Sequence, residues 1–156
     1  MTSVPPRVLI ASLGAVLRGD DGFGPRLLAR VAPKLPQWVR ARDFGTHGLA
    51  LVQALHEQFD ALLLLDACQR GGRPGTVYIL RPEASELEIQ PGAHLTGIRH
   101  VMALAATLQV LPAAVWLVGC EPARTEGYTL RLSRPVRRAL PRAERVVTRL
   151  VATLQT

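Results

Sequence analysis

The sequence predicts a single α/β domain in which strands and helices alternate along the chain. Apolar runs of strand length, of which ALLLLDA at 61–67 is the strongest, alternate with segments of helical periodicity. The apolar residues within these runs are continuous, as in strands that are buried on both faces of a sheet. No repeat or low-complexity linker divides the 156 residues, and 48% of them are hydrophobic. We therefore expect one domain over residues 1–156, large enough for a single core.

Local signals define the individual elements. Pro33 and Pro36 close the first helix, and the GTHG turn at 45–48 leads into the second. Ser133 is expected to cap the C-terminal helical region, and Pro141 is expected to break or kink it. The predicted strands are 7–12, 39–44, 61–67, 76–80 and 114–118, and the predicted helices are 22–32, 49–58, 97–109 and the region after Ser133.

The charge balance is strongly basic, with a formal net charge of +7 at pH 7. A positive surface attracts phosphate, but the arginines of residues 131–150 alternate with apolar residues at helical spacing, as on the polar face of an amphipathic helix. Lys34 is the only lysine, and few aromatic residues accompany the arginines. We therefore expect no nucleic-acid partner, while the basicity favours an acidic protein partner.

Cysteine usage and hydropathy predict the compartment. Cys68 and Cys120, the only cysteines, lie in or beside apolar runs, which is typical of reduced thiols in a cytosolic protein. The segment MTSVPPRVLI lacks the pattern of a secretory signal, and no apolar stretch approaches the roughly 20 residues of a membrane span. We expect a cytoplasmic protein without a membrane partner.

Acidic residues follow two of the predicted strands. In GDDGFGP, at 19–25, Asp20 and Asp21 follow the first strand, and Asp66 closes the third. Ligands of open α/β sheets bind in the crevice outside the carboxyl ends of the strands. His94, in the loop PGAHLTG before a helix, is placed to reach the same edge. Two carboxylates and an imidazole suit a divalent transition metal.

Three other interpretations compete with a metal site. Asp20 could cap the helix that follows, because aspartate accepts the amide hydrogens of a first turn. Cys68 could be a nucleophile with His94 as its base, although Asp66 would raise the pKa of the thiol. LGAVLRGDDGFG, at 13–24, could bind phosphate, but it lacks the spacing of either common nucleotide motif and its acids would repel phosphate. A metal-using hydrolase site is the favoured interpretation.

Six motifs span nearly the whole chain: LGAVLRGDDGFG, DFGTHGLAL, LLLLDAC, PGTVYIL, HLTGIRHVMAL and VGCEPARTEGYTLRLSRPVRRALPRA. In this order they resemble the maturation endopeptidases of nickel-iron hydrogenases. The resemblance implies a three-layer α/β/α sandwich of the phosphorylase/hydrolase-like type, with a mixed, mostly parallel sheet of about five strands. It also implies a metal-binding and catalytic cluster, which carries over to Asp21, Asp66 and His94.

The implied activity is a metal-dependent endopeptidase that removes the C-terminal extension from the precursor of a hydrogenase large subunit once nickel is inserted. The nickel is expected to come with the substrate, other divalent metals being able to substitute in vitro, and the protein is expected to be a monomer. The alternative is a metal-sensing chaperone or binding protein of the same fold that does not cleave.

Two positions depart from the pattern of the family. Ser12 and Ala15 stand where the family commonly has glycine and asparagine, so backbone groups such as those of Gly14 are expected to hold the loop instead. His47 is not required by the pattern and is expected to be at most an additional contact. Asp20 is expected to be mainly structural, serving the loop or the helix start, while Asp21 is functional. Asp20→Asn is therefore expected to keep activity and to cost at most ~1 kcal/mol, because asparagine also caps helices.

Overall fold

The computed structural model describes residues 3–82 and 97–156, which contain five strands and four α-helices. The strands are β1 (Val8–Ser12), β2 (Val39–Asp43), β3 (Ala61–Ala67), β4 (Val77–Leu80) and β5 (Ala114–Cys120). The helices are α1 (Phe23–Val31), α2 (Gly48–Leu55), α3 (Ile98–Thr107) and α4 (Arg134–Leu154). Short 3-10 turns lie at Gly19–Gly22 and Ala32–Lys34. The element order confirms the predicted alternation.

The strands form one mixed sheet in the order β2-β1-β3-β5-β4. Strands β2, β1, β3 and β5 are parallel, and β4 runs antiparallel to β5 at one edge of the sheet. Parallel neighbours need a long crossover, which here is supplied by a helix between consecutive strands, whereas only residues 68–76 link β3 to β4. The predicted mixed, mostly parallel sheet of five strands is therefore confirmed.

Two hydrophobic cores separate the three layers. Leu63 and Leu65 of β3 pack on the face covered by α1 and α4, together with Phe23. Leu62 and Leu64 pack on the opposite face, against α2 and α3. All four leucines are fully buried because successive residues of a strand point to opposite faces of the sheet. The predicted three-layer α/β/α sandwich is thus confirmed.

Pro141 does not break the C-terminal helix, so the predicted break was wrong, while the kink stays a prediction. Helix α4 runs from Arg134 to Leu154 with Pro141 inside it. The proline is exposed, and buried residues on either side of it, Leu140 and Ala143, anchor both adjacent turns in the core. The carbonyl that loses its donor to the proline belongs to the exposed residue Arg137 and can be hydrated. Packing therefore outweighs the local preference of proline.

Ser133 occupies the N-cap position of α4, as predicted, but its side chain makes no capping bond. Its hydroxyl instead donates to Oδ2 of Asp20 at 2.7 Å.

Among the helices of the described residues, none has the length and hydropathy that crossing a membrane requires.

Candidate functional site

The candidate site lies at the carboxyl edge of the sheet, where β1 and β3 end side by side. Asp66 is the penultimate residue of β3 and pairs with Gly119 of β5 in the sheet register. Asp21 lies in the 3-10 turn between β1 and α1. Just beyond β1, the backbone N–H of Leu13 donates to the carbonyl of Leu65 at 3.0 Å, which joins the ends of β1 and β3. Both aspartates are partly exposed. They are therefore buried enough to interact strongly and open enough to meet a ligand.

The carboxylates of Asp21 and Asp66 are close enough to repel each other. Burial raises the pKa of Asp66 well above its ordinary value, the negative charge of Asp21 raises it further, and the backbone N–H of Ala67 opposes both effects. A buried carboxylate whose pKa is raised by a neighbouring carboxylate is stabilised in its charged form when a cation lies between the two groups. The structure thus brings together two of the three predicted ligands.

His94, the third predicted ligand, lies outside the described residues. Within residues 3–82 and 97–156, no three His, Cys, Asp or Glu side chains are grouped closely enough to hold a metal ion. The ligand set of Asp21, Asp66 and His94 therefore stays a prediction. Its two described members supply oxygen donors only, and an imidazole would complete the mixed set that a transition metal prefers.

Backbone groups orient Asp21. The N–H of Ala15 donates to Oδ2 of Asp21 at 2.7 Å, and the N–H of Gly14 donates to the carbonyl of Gly45 at 2.9 Å. Gly14 has φ +123°, and a Cβ there would come within 2.0 Å of the carbonyl oxygen of Asp21. Only glycine fits this approach. The loop is therefore held by its own backbone, as expected from the absence of asparagine at Ala15.

Ser12 joins the ends of β1 and β2. Its hydroxyl donates to Oδ1 of Asp43 at 2.9 Å, and the same oxygen accepts the N–H of Gly45 at 2.9 Å. These bonds fix the turn that leads to His47, which occupies the exposed N-cap position of α2 at the same edge of the sheet. His47 lies near the candidate site, but no contact assigns it a role there.

Asp20 is fully buried and does not cap α1. The N-cap of α1 is Gly22, which receives no side-chain cap, so the capping interpretation was wrong. Oδ2 of Asp20 accepts the N–H groups of Ala123 and Arg124 at 2.8 and 2.9 Å and the hydroxyl of Ser133 at 2.7 Å. Oδ1 accepts the N–H of Ser133 at 2.7 Å. Asp20 thus ties the turn that carries Asp21 to the segment before α4.

Glu121 is a second buried carboxylate and was not among the site residues predicted from the sequence. It is 6% exposed and follows β5. Oε2 accepts the N–H of Arg70 and the hydroxyl of Tyr78, both at 2.8 Å, and Oε1 accepts the N–H of Gly71 at 3.2 Å. These bonds hold the loop that follows Asp66. The acid directly after the apolar run AVWLVGC was the signal that could have found it.

Comparison with known proteins identifies the family. A family model described as HycI, hydrogenase maturation protease, matches residues 28–150. The chain belongs to the hydrogenase maturation protease family. This family is one of proteases, so the chain is placed among hydrolases that act on peptide bonds.

Individual proteins that resemble this maturation protease-family chain support the same family assignment. The hydrogenase expression/formation protein HupM of Azotobacter chroococcum mcd 1 is 38% identical over 147 residues, which are 90% of this chain and 69% of the relative. The crystal structure of the hydrogenase 2 maturation peptidase from Thaumarchaeota archaeon SCGC_AB-539-E09 matches with 32% identity and a TM-score of 0.72, covering 93% of this chain and 97% of the other. The maturating endopeptidase HybD of E. coli matches at 26% identity and a TM-score of 0.82, covering 94% and 93%.

The two cysteines of this family member are free thiols with raised pKa values. Burial raises the pKa of the half-buried Cys68, and the nearby Arg70 lowers it less. Burial and, after it, the negative charge of Asp20 raise the pKa of Cys120 to about 12, while the positive charge of Arg142 opposes this shift. A thiol that resists ionisation is a poor nucleophile. The alternative in which Cys68 attacks the substrate therefore finds no support, and His94, its proposed base, lies outside the described residues.

Glu121 yields a test that depends on pH. Its hydrogen bonds, above all that from the N–H of Arg70, lower its pKa. A carboxylate with a lowered native-state pKa stabilises the fold at neutral pH, and this contribution is lost as the pH falls below its ordinary value of roughly 4.3. Glu121→Gln should therefore lower the melting temperature at pH 7, and the difference from the unsubstituted protein should narrow towards roughly pH 3.

Melting curves followed by circular dichroism between these pH values measure this difference. Tyr78→Phe is the matched control, because it removes one of the three described donors to Glu121 and keeps the carboxylate. Tyr78→Phe should lower the melting temperature less than Glu121→Gln does, and the melting temperature of this control should still fall as the carboxylate of Glu121 is protonated. An equal deficit of Glu121→Gln at pH 7 and pH 3 would contradict the assignment.

Proposed function

We propose that the chain is the endopeptidase that removes the C-terminal extension from the precursor of a nickel-iron hydrogenase large subunit after nickel insertion. The observation that carries this proposal is the convergence of Asp21 and Asp66 at the carboxyl edge of the sheet, in a chain of the maturation protease family. Relatives named for hydrogenase expression or formation, and structures named as maturation peptidases, support the hydrogenase precursor as the substrate.

Nickel enters the proposed reaction as part of the substrate. Without a cation, the charge repulsion between Asp21 and Asp66 disfavours the state in which both carboxylates are ionised. A cation bound between them offsets this repulsion and stabilises both charges. The precursor that has received nickel brings that cation, and the precursor without nickel does not. The two carboxylates, with His94, would thus test whether insertion is complete before the peptide bond is cut.

The chain's own groups have definite tasks in this proposal. The N–H of Ala15 holds one oxygen of Asp21, so the carboxylate is oriented before the substrate arrives. Asp66 lies at the end of β3, a central strand that is hydrogen-bonded to β1 on one side and to β5 on the other. When bound, the nickel either polarises the scissile carbonyl as a Lewis acid or activates a water molecule. Both routes need the two carboxylates in the same position.

Cleavage should depend on nickel in the precursor. We expect the purified chain to shorten a nickel-loaded large-subunit precursor and to leave the same precursor intact when it is prepared without nickel. Intact-mass spectrometry of the precursor before and after incubation measures the loss of the extension. A stable complex with the loaded precursor and no shortening would identify the non-cleaving chaperone instead. Equal cleavage of both precursors would refute the role of nickel.

A further inference from the structure

Most of the excess positive charge of the chain lies on one helix. Helix α4 contains six arginines and one glutamate and so supplies five of the seven net positive charges. The glutamate, Glu144, is already ion-paired with Arg30 at 2.9 Å and with Lys34. Because the formal charge of +7 counts every acid in the chain, the surplus on α4 is not balanced elsewhere.

Four of these arginines form a row along the helix. Arg134, Arg138, Arg145 and Arg149 are all exposed, and at 100° per residue they fall within about 60° of the helix circumference. The row, called here the arginine face, is about 22 Å long at 1.5 Å per residue. No ion pair engages any of the four within residues 3–82 and 97–156. The opposite side of α4 is buried in the core.

A shallow groove runs beside the arginine face. It has a volume of about 430 Å³ and is lined by residues of α4 and by Lys34. A second hollow of about 250 Å³ shares Lys34 and Thr148 with it and adds the apolar side chains of Leu35, Trp38 and Val151. Charged and apolar contacts thus lie side by side. This combination fits a protein segment that carries both carboxylates and apolar side chains.

The arginine face begins next to the candidate site. Ser133, the residue before Arg134, is bound through its N–H and its hydroxyl to Asp20, both at 2.7 Å. Asp20 is the neighbour of Asp21 in the turn after β1. A partner that lies along the arginine face therefore has one end at the carboxyl edge of the sheet and the other about 22 Å away.

We propose that the arginine face and the adjoining groove dock an acidic segment on the surface of the hydrogenase large-subunit precursor. The segment carries carboxylates spaced over roughly 20 Å and places apolar side chains in the groove. Arginine suits this task because its planar guanidinium binds a carboxylate through two hydrogen bonds. This inference rests on the proposed function. A nucleic acid fits less well, because only 4% of the residues are aromatic and able to stack on bases.

Two triple variants with the same loss of charge test the proposal. The first combines Arg138→Gln, Arg145→Gln and Arg149→Gln. The matched control combines Arg7→Gln, Arg40→Gln and Arg42→Gln. Arg7 directly precedes β1, Arg40 and Arg42 lie on β2, and all three side chains contact Glu57. Melting temperatures first establish that both variants fold, as expected for substitutions outside the buried core.

Steady-state cleavage and fluorescence anisotropy then measure turnover and binding of the nickel-loaded precursor separately. The arginine-face variant should raise KM and Kd by about tenfold or more, with kcat within about twofold, and should weaken the dependence of KM on salt. The control should stay within about twofold of the unsubstituted protein in every constant. Such a split supports docking away from the reacting bond.

Other results overturn the docking proposal. Equal increases in KM and Kd in both variants would indicate a general effect of net charge, and unchanged values in the first variant would show that the face does not bind the precursor. Binding of duplex DNA or of phosphatidylglycerol vesicles that the first variant alone loses, with KM unchanged, would assign the face to that ligand. Precursor that binds through the face but is not shortened would refute the proposed function and support docking.

Discussion

Asp66→Asn is expected to reduce cleavage of the nickel-loaded precursor by about 100-fold or more while the fold is retained. The amide is uncharged and is a poorer metal ligand than the carboxylate. Because burial and the charge of Asp21 already raise the pKa of Asp66, the substitution relieves a repulsion and should leave the melting temperature unchanged or higher. Cleavage rates measured by mass spectrometry, with melting curves on the same sample, check both parts.

Asp21→Asn and His94→Ala should show the same loss of cleavage if the three residues act as one ligand set. Asp43→Asn is a matched control, because Asp43 also lies at the carboxyl edge but its carboxylate binds Ser12 and Gly45. The control should keep most of the activity of the molecules that remain folded. Normal cleavage by Asp66→Asn or by His94→Ala would contradict the proposed site.

Asp20→Asn is expected to destabilise the protein by about 3 kcal/mol or more, which is larger than the sequence indicated. The two carboxylate oxygens of Asp20 together accept four hydrogen bonds, three at Oδ2 and one at Oδ1. In either orientation, the amide of asparagine would turn an N–H towards at least one of these donors in a fully buried position. The free energy of unfolding in urea measures this cost.

Ser133→Ala is the matched control for Asp20→Asn. It removes the hydroxyl donor and keeps the backbone N–H, so it should cost only about 1 kcal/mol. A cost below about 1 kcal/mol for Asp20→Asn would restore the original expectation and argue against a charged acceptor at this position. The activity of the molecules that remain folded tests whether Asp20 takes part in cleavage.

Local patterns were sufficient to predict the sheet and the approach of two carboxylates. The run ALLLLDA predicted β3 with the bounds that the structure shows, because its burial follows from its own hydrophobicity. The position of Asp66 at the end of this strand, with Asp21 after β1, predicted their meeting at one edge. Both inferences use information from a few neighbouring residues.

The errors and omissions arose where distant segments decide the outcome. Asp20 resembled a helix cap, but its partners lie 103 to 113 residues away. The role of Glu121 depends on Arg70, which is 51 residues away. The break predicted at Pro141 does not occur because packing of α4 on the core outweighs a local preference. No pattern within a single segment contains these contacts.

The bonds of Asp20 also set the order in which the protein can assemble. Besides its local contacts, the turn that carries Asp21 needs Ala123, Arg124 and Ser133 to donate to Asp20 before its anchoring is complete. Contacts of such high sequence separation form late, because a long loop must close before they repay its entropy. A chain still emerging from the ribosome therefore lacks the donors to Asp20, and the turn that carries Asp21 is completed only after most of the sequence has been synthesised.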